Sequence, residues 1–343
     1  MGGADKFPGI SLRVLAKIGT TAFPAAVFLF WAWVLSWTLP AFSSDHLFES
    51  FSGDLPASAR TVFFFDLRKL RESSFRPSVA GESAPGLLVS LEKNLSGRKI
   101  DPEFTTGAFF ITGGSAGLLL DSSLTPKNLA SPEPSGAEAV FSITEKRTPG
   151  GYPVFLFEDS RDGDEKPDDA LACAFPGRPG RLLVSTFSGL SPLLRERKGV
   201  SRELQGALEA LSAGSFLEGV LTPDFTGMEA DSISPLWNGV GRIAFAFFLK
   251  KNDPYPFRGS VLFFPRTPAA AGMVRRNVEE LVRSAYAAGR EKGEIRPEMM
   301  FAFQVLPGSG FTELRIRLTG PDAEDFVSLF TSELSKGVFG KCL

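Results

Sequence analysis

Hydrophobic and polar positions along this chain follow two regimes. From Ile18 to Ser44 no side chain is charged, a run of 27 residues, and at a rise of 1.5 Å per residue about 20 helical residues cross the hydrocarbon core of a bilayer. That length predicts a transmembrane helix over 18–44. Beyond it the apolar residues come in strand-length packets separated by Gly, Pro and charged clusters. "LPASARTVFFFDLRKL" predicts a turn, a strand over Thr61–Asp66 and the start of a helix. Pro77, Pro85 and Gly86 then break the chain before a short amphipathic helix, Leu87 to Leu95. "TGAFFITGGSAGLLLD" reads as two strands about a glycine turn, and "TPKNLASPEPSG" as a loop.

"AEAVFSITEK", "YPVFLFED", "DALACAF" and "RLLVSTF" are four further strand-length runs and predict an antiparallel meander. A short helix near Leu190–Arg197 comes next, and then a helix over Arg202–Leu211, with Ser201 as N-cap and Leu204, Leu208 and Leu211 on one stripe. Residues 222–241 form a Gly/Pro-rich seam. After it, Arg242–Lys251 and Arg258–Arg266 read as strands. A helix succeeds them with Thr267 as N-cap and Pro268 at its first position, burying Val274, Val278, Leu281, Val282 and Ala285. "MMFAFQVLPGSGFTELRIRL" predicts a hairpin turning at Pro307–Gly310, and a last helix opens at Pro321. Strand-strand-helix repeated twice predicts an α+β fold, with helices packed on one face of antiparallel sheets. The expected division is a cytoplasmic N-terminus (1–17), the transmembrane helix (18–44), a juxtamembrane linker (45–55), a first exported module (56–226), a linker (227–241), a second exported module (242–337) and a tail (338–343).

Charge orients the apolar run. Lys6, Arg13 and Lys17 precede it against a single Asp5, whereas Asp45 and Glu49 lie beyond it, so the positive-inside bias places the N-terminus in the cytoplasm and the rest outside the plasma membrane. Phe23, Phe28, Trp31, Trp33 and Trp37 are the large anchoring side chains, with Trp37 at headgroup level. The rival is a cleaved secretory signal ending at Ala41-Phe42-Ser43, whose apolar core would be only about 7–15 residues. Both readings export the chain from about residue 45 onward.

Setting aside the first 44 residues leaves 34 Lys+Arg against 38 Asp+Glu, a mildly acidic mixed surface that points away from nucleic acid and anionic lipid as ligands. Cys173 and Cys342 are too few for a disulfide scaffold, though one bridge between them is conceivable outside the cytoplasm. With 33 Phe against 3 Tyr and 4 Trp, the aromatic usage describes a dry core more readily than a wet recognition surface.

Several motifs touch on chemistry. Gly113-Gly114-Ser115-Ala116-Gly117 fits the G-x-S-x-G elbow, but a serine nucleophile needs a base, and the chain's one histidine, His46, lies far upstream beside the apolar run. A glycine hairpin turn is the reading preferred here, with a serine hydrolase using Ser115 as the distant alternative. "EDSRDGDEKPDD" places Glu158, Asp162, Asp164 and Asp169 in a calcium-loop-like spacing, yet Glu opens it and Lys166 and Pro167 interrupt it, so a solvated loop between strands is preferred over a weak calcium site. His46 alone makes no metal site and reads as a linker residue. Asn94–Ser96 is a glycosylation sequon by pattern only. P-loop, dinucleotide and zincin motifs are missing, so no cofactor is expected.

The "LPA" leading into a strand that ends "DL", together with "GGYPVFLFE…ALACAFPGRPGRLLVSTFSGLSPLL" and "SRELQGALEAL", resembles a group of uncharacterised bacterial extracytoplasmic domains, often membrane-tethered, over about residues 55–225. The resemblance implies an exported α+β module and no chemistry. The expectation is a single-pass, non-enzymatic binding or assembly component of the cell envelope. It would contact the bilayer through its N-terminus and an envelope protein through its exterior, with no nucleic acid involved. A ligand-binding or sensory ectodomain is the alternative.

Overall fold

The computed structural model describes residues 46–66, 68–69, 95, 100, 103–113, 115–130, 141–148, 150–159, 170–196, 198–222, 239–250, 253, 255–291 and 302–319. The chain forms two compact units, divided after Gly219.

The first unit is built on β1 (Thr61–Asp66), β2 (Phe104–Ile111), β3 (Ala116–Ser122), β4 (Phe141–Arg147), β5 (Pro153–Asp159), β6 (Leu171–Ala174) and β7 (Arg181–Thr186). They are hydrogen-bonded in the order β1-β2-β3-β7-β6-β5-β4, every pair antiparallel. β1 is buried along its whole length, as its near-continuous apolar run requires of a strand covered on both faces. Period-2 geometry puts Phe63 and Phe65 on one face and Val62 and Phe64 on the other. Phe63 stacks on Phe109, its cross-strand partner, at 6.1 Å between ring centroids. The opposite face is covered by helix α1 (Leu47–Phe51), whose Phe48 and Phe51 rings lie 6.4 and 6.2 Å from that of Phe64. Residues 45–55, read from sequence as a linker, thus contribute Leu47, Phe48, Phe51 and Leu55 to the core.

Helix α2 (Pro126–Ala130) comes after β3. Helix α3 (Phe187–Arg195) comes after β7, with the Thr186 hydroxyl accepting from Gly189 N–H as N-cap, and it packs on β6, β7 and β3. Ser201 caps helix α4 (Arg202–Glu209) in the same way through Leu204 N–H, and Leu204, Ala207 and Leu208 are buried. β8 (Leu217–Leu221) then carries the chain across the division.

In the second unit β9 (Val240–Leu249), β10 (Phe257–Pro265), β11 (Phe303–Pro307) and β12 (Thr312–Leu318) are ordered β9-β10-β12-β11, again antiparallel. A short 3-10 turn at Pro268–Ala270 leads into helix α5 (Ala271–Glu291), which contacts β10, β11 and β12 and buries Val274 and Val278. β12 alternates buried Thr312, Leu314, Ile316 and Leu318 with half-exposed Glu313, Arg315 and Arg317, the wet face that its sequence predicts.

The expected α+β class, with helices packed on one face of the sheets, is corrected by this architecture. Antiparallel sheet dominates: among the described residues there are twelve strands, and only α3, α4 and α5 are helices longer than seven residues. A stripe of leucines reports that a segment is amphipathic, not how much of the core it covers. Here the sheet faces are filled largely by the strands' own Phe and Leu side chains. Among the described residues no helix is long and apolar enough to cross a membrane. The segment 18–44, with Phe23, Phe28, Trp31, Trp33 and Trp37, lies outside the described residues, as do the helices read over Leu87–Leu95, apart from Leu95 itself, and from Pro321.

Candidate functional site

Residues 46–58 run across the first unit as a strap, and buried charged side chains fasten it. At its start, Glu218 on β8 is fully buried. Its Oε1 accepts from Phe48 N–H at 2.8 Å and its Oε2 accepts from Ser215 Oγ at 2.8 Å. Phe48 N–H belongs to the first turn of α1, where backbone donors lack intrahelical partners, so Glu218 caps the helix from a distant strand. His46 Nδ1 lies 3.8 Å from Oε2. Burial pushes the Glu218 carboxyl above its ordinary range, while the hydrogen bonds from Ser215 and Phe48 and the charges of His46 and Lys69 pull the other way.

Further along, Arg181 on β7 is almost fully buried. Its guanidinium stands 4.0 Å over the Phe51 ring and donates through Nη2 to Ser50 O at 3.1 Å. Its Nε is 3.0 Å from Asp121 Oδ1 and its Nη1 is 3.5 Å from Asp54 Oδ2. Neither approach is aligned as a hydrogen bond, so the charges interact as ion pairs. Asp121 is the cross-strand partner of Arg181 and also accepts from Thr106 Oγ1 at 2.5 Å. Burial lowers the pKa of Arg181, against the stabilising charges of Asp121 and Asp54. The strap is then held by backbone: Gly199 N–H donates to Leu55 O, Ser58 N–H to Glu196 Oε1, and Pro56 bridges to Lys198.

Ser115 lies in the β2–β3 hairpin turn, where its carbonyl accepts from Thr112 N–H and its N–H donates to Thr112 Oγ1. A strand succeeds it where the elbow motif demands a helix. Glu158 lies in β5, paired across to Ser142, and Asp162, Asp164 and Asp169 lie outside the described residues. Among the described residues no three His, Cys, Asp or Glu side chains gather into a metal cluster. Cys173 is a free, buried thiol with its pKa raised by burial, and Cys342 lies outside the described residues.

Sequence reasoning missed Glu218 and Arg181. "SFLEGVL" contains the one available signal, a lone carboxylate inside an apolar run of strand length, and such a group demands partners once buried. Comparison with known protein families, with characterised proteins and with solved structures finds no match.

Proposed function

We propose that this chain is a non-enzymatic binding and assembly component of the cell envelope, held at the membrane by its apolar segment 18–44, with the residues beyond that segment outside the cytoplasm. The observation that carries the reading is the 27-residue uncharged run, flanked by Lys6, Arg13 and Lys17 on one side and Asp45 and Glu49 on the other. The adjoining strap supports it: one residue past that run and Asp45, the chain enters a segment fastened through Glu218 and Arg181, an attachment suited to a tethered domain. Glu218 is engaged with Ser215 and the strap backbone, and Arg181 with Ser50 O, Asp121 and Asp54, which favours binding through an outer surface over chemistry at a pocket.

The test is mild-detergent purification of the C-terminally tagged chain from native membranes, with mass spectrometry of its N-terminus and of proteins bound at comparable abundance. An intact N-terminus and a stoichiometric envelope partner are expected. A chain starting near Ser44 and running alone would overturn both the tether and the assembly role.

A further inference from the structure

The chain's single histidine and the buried carboxylate of Glu218 meet where the strap begins. His46 Nδ1 is itself buried and makes no hydrogen bond among the described residues, although Glu218 Oε2 lies 3.8 Å away. A proton on Nδ1 supplies a donor and turns this near contact into a charge-assisted interaction. The carboxylate is meanwhile gripped from two other sides, by Phe48 N–H on the strap and by Ser215 Oγ just before β8. Glu218 therefore holds the first turn of α1 by its backbone and faces an unsatisfied imidazole nitrogen from the same segment.

We propose that His46 and Glu218 form a proton-operated clasp, closing the first turn of the strap, His46–Phe48, onto β8 in mild acid and loosening it as the solution becomes alkaline. The other charged groups nearby do not supply this response. Lys69, just after β1, donates to Gly214 O and Ser215 O at 3.1 and 3.0 Å and stands 3.9 Å from Asp66 Oδ2 on β1, so its charge is largely offset. Glu49, on α1 itself, is exposed. The closed pair retains a proton that the open pair releases, because burial raises the affinity of the Glu218 carboxyl for it and the unsatisfied Nδ1 of His46 faces that carboxyl at 3.8 Å. One proton of linkage changes the ratio of closed to open by up to about tenfold per pH unit. Beyond this turn the strap is held independently of the pair, by fully buried Phe51 and Leu55 and by Arg181 over the Phe51 ring. The clasp depends on these contacts alone and stands whether or not the preceding segment is held in a membrane.

Hydrogen-exchange mass spectrometry on the purified full chain tests it, at pH 6 and pH 8, with each rate normalised to the unfolded chain at the same pH. Protection of a peptide covering residues 46–52 is expected to fall between the two conditions by several-fold to about a hundredfold, relative to a β3 peptide covering residues 117–121. His46→Gln is expected to shrink that change at least threefold, and Glu218→Gln to abolish it. Equal normalised protection of the wild-type strap at both pH values would overturn the clasp, as would a His46→Gln chain responding like wild type. The partly exposed His46 position keeps the test decisive if Glu218→Gln does not fold.

Discussion

Phe65 on β1 stands directly opposite Gly107 on β2, and its ring covers the glycine so closely that a Cβ built there would fall 2.3 Å from two ring carbons. The arrangement recurs where Phe110 faces Gly117 and where Phe247 faces Gly259. Glycine weakens a strand interior because it leaves backbone bare and packs nothing. A cross-strand ring laid over it restores both the contact and the shielding. Gly107→Ala should therefore force the Phe65 ring aside and destabilise the fold by about 1–3 kcal/mol. Gly113→Ala, whose Cβ would meet nothing within 4 Å, should change stability by less than about 0.5 kcal/mol. Urea denaturation of the two variants side by side gives the comparison.

Arg181 is the charged centre beneath the far end of the strap. Arg181→Met should cost about 3 kcal/mol, the low end for breaking a buried pair, because Asp121 retains 32% exposure and can be partly solvated. Adding Asp121→Asn to Arg181→Met should recover part of that loss in the same denaturation assay, since one stranded charge is removed. Arg181→Lys should fall between wild type and Arg181→Met, because it keeps the charge and loses the planar fork that spans Phe51, Ser50 and Asp121.

Glu218 sets a direction for stability against pH. Its folded pKa lies above the ordinary value of 4.5, so the folded chain holds this proton more tightly than the unfolded chain. Its contribution is complete below about pH 4.5 and is lost as the pH climbs through the raised value. Glu218→Gln should remove that component: its melting temperature should decline less than that of wild type from pH 5 to pH 8. A steeper decline in Glu218→Gln would contradict the burial-driven shift.

Ser115 is expected to stay unlabelled by a fluorophosphonate probe in the folded protein. Both its backbone groups are engaged with Thr112 in a hairpin turn, and among the described residues its hydroxyl makes no hydrogen bond to a base of the kind that activates a serine. Stoichiometric labelling that Ser115→Ala abolishes would revive the hydrolase reading.

Cys173 should resist thiol reagents until the chain unfolds. Full burial removes access and disfavours the thiolate that reacts. Peptide mapping after alkylation should find it modified in denaturant and almost unmodified without it.

The amino-acid sequence by itself determined most of the local structure. Thr61–Asp66, the two strands about Gly113, the meander from Phe141 to Thr186 and the alternating "ELRIRL" strand all form where apolar periodicity and glycine punctuation place them. Ser201 caps its helix as its position ahead of a leucine stripe predicts. It also determined the uncharged run over 18–44 and the excess of Phe that fills the core. Tertiary structure alone decided that Leu47, Phe48, Phe51 and Leu55 belong to the core, that "LEGVL" is a strand, and that His46 faces a buried carboxylate. Periodicity reports which face of a segment is dry, because that depends on neighbours a few residues away. The partners of a buried charge depend on chain brought from far off: Phe48 and Glu218 are 170 positions apart, and Arg181 and Ser50 are 131 apart. Sheet dominates over helix for the same reason, since the ladders that join these strands exist only once distant segments pair.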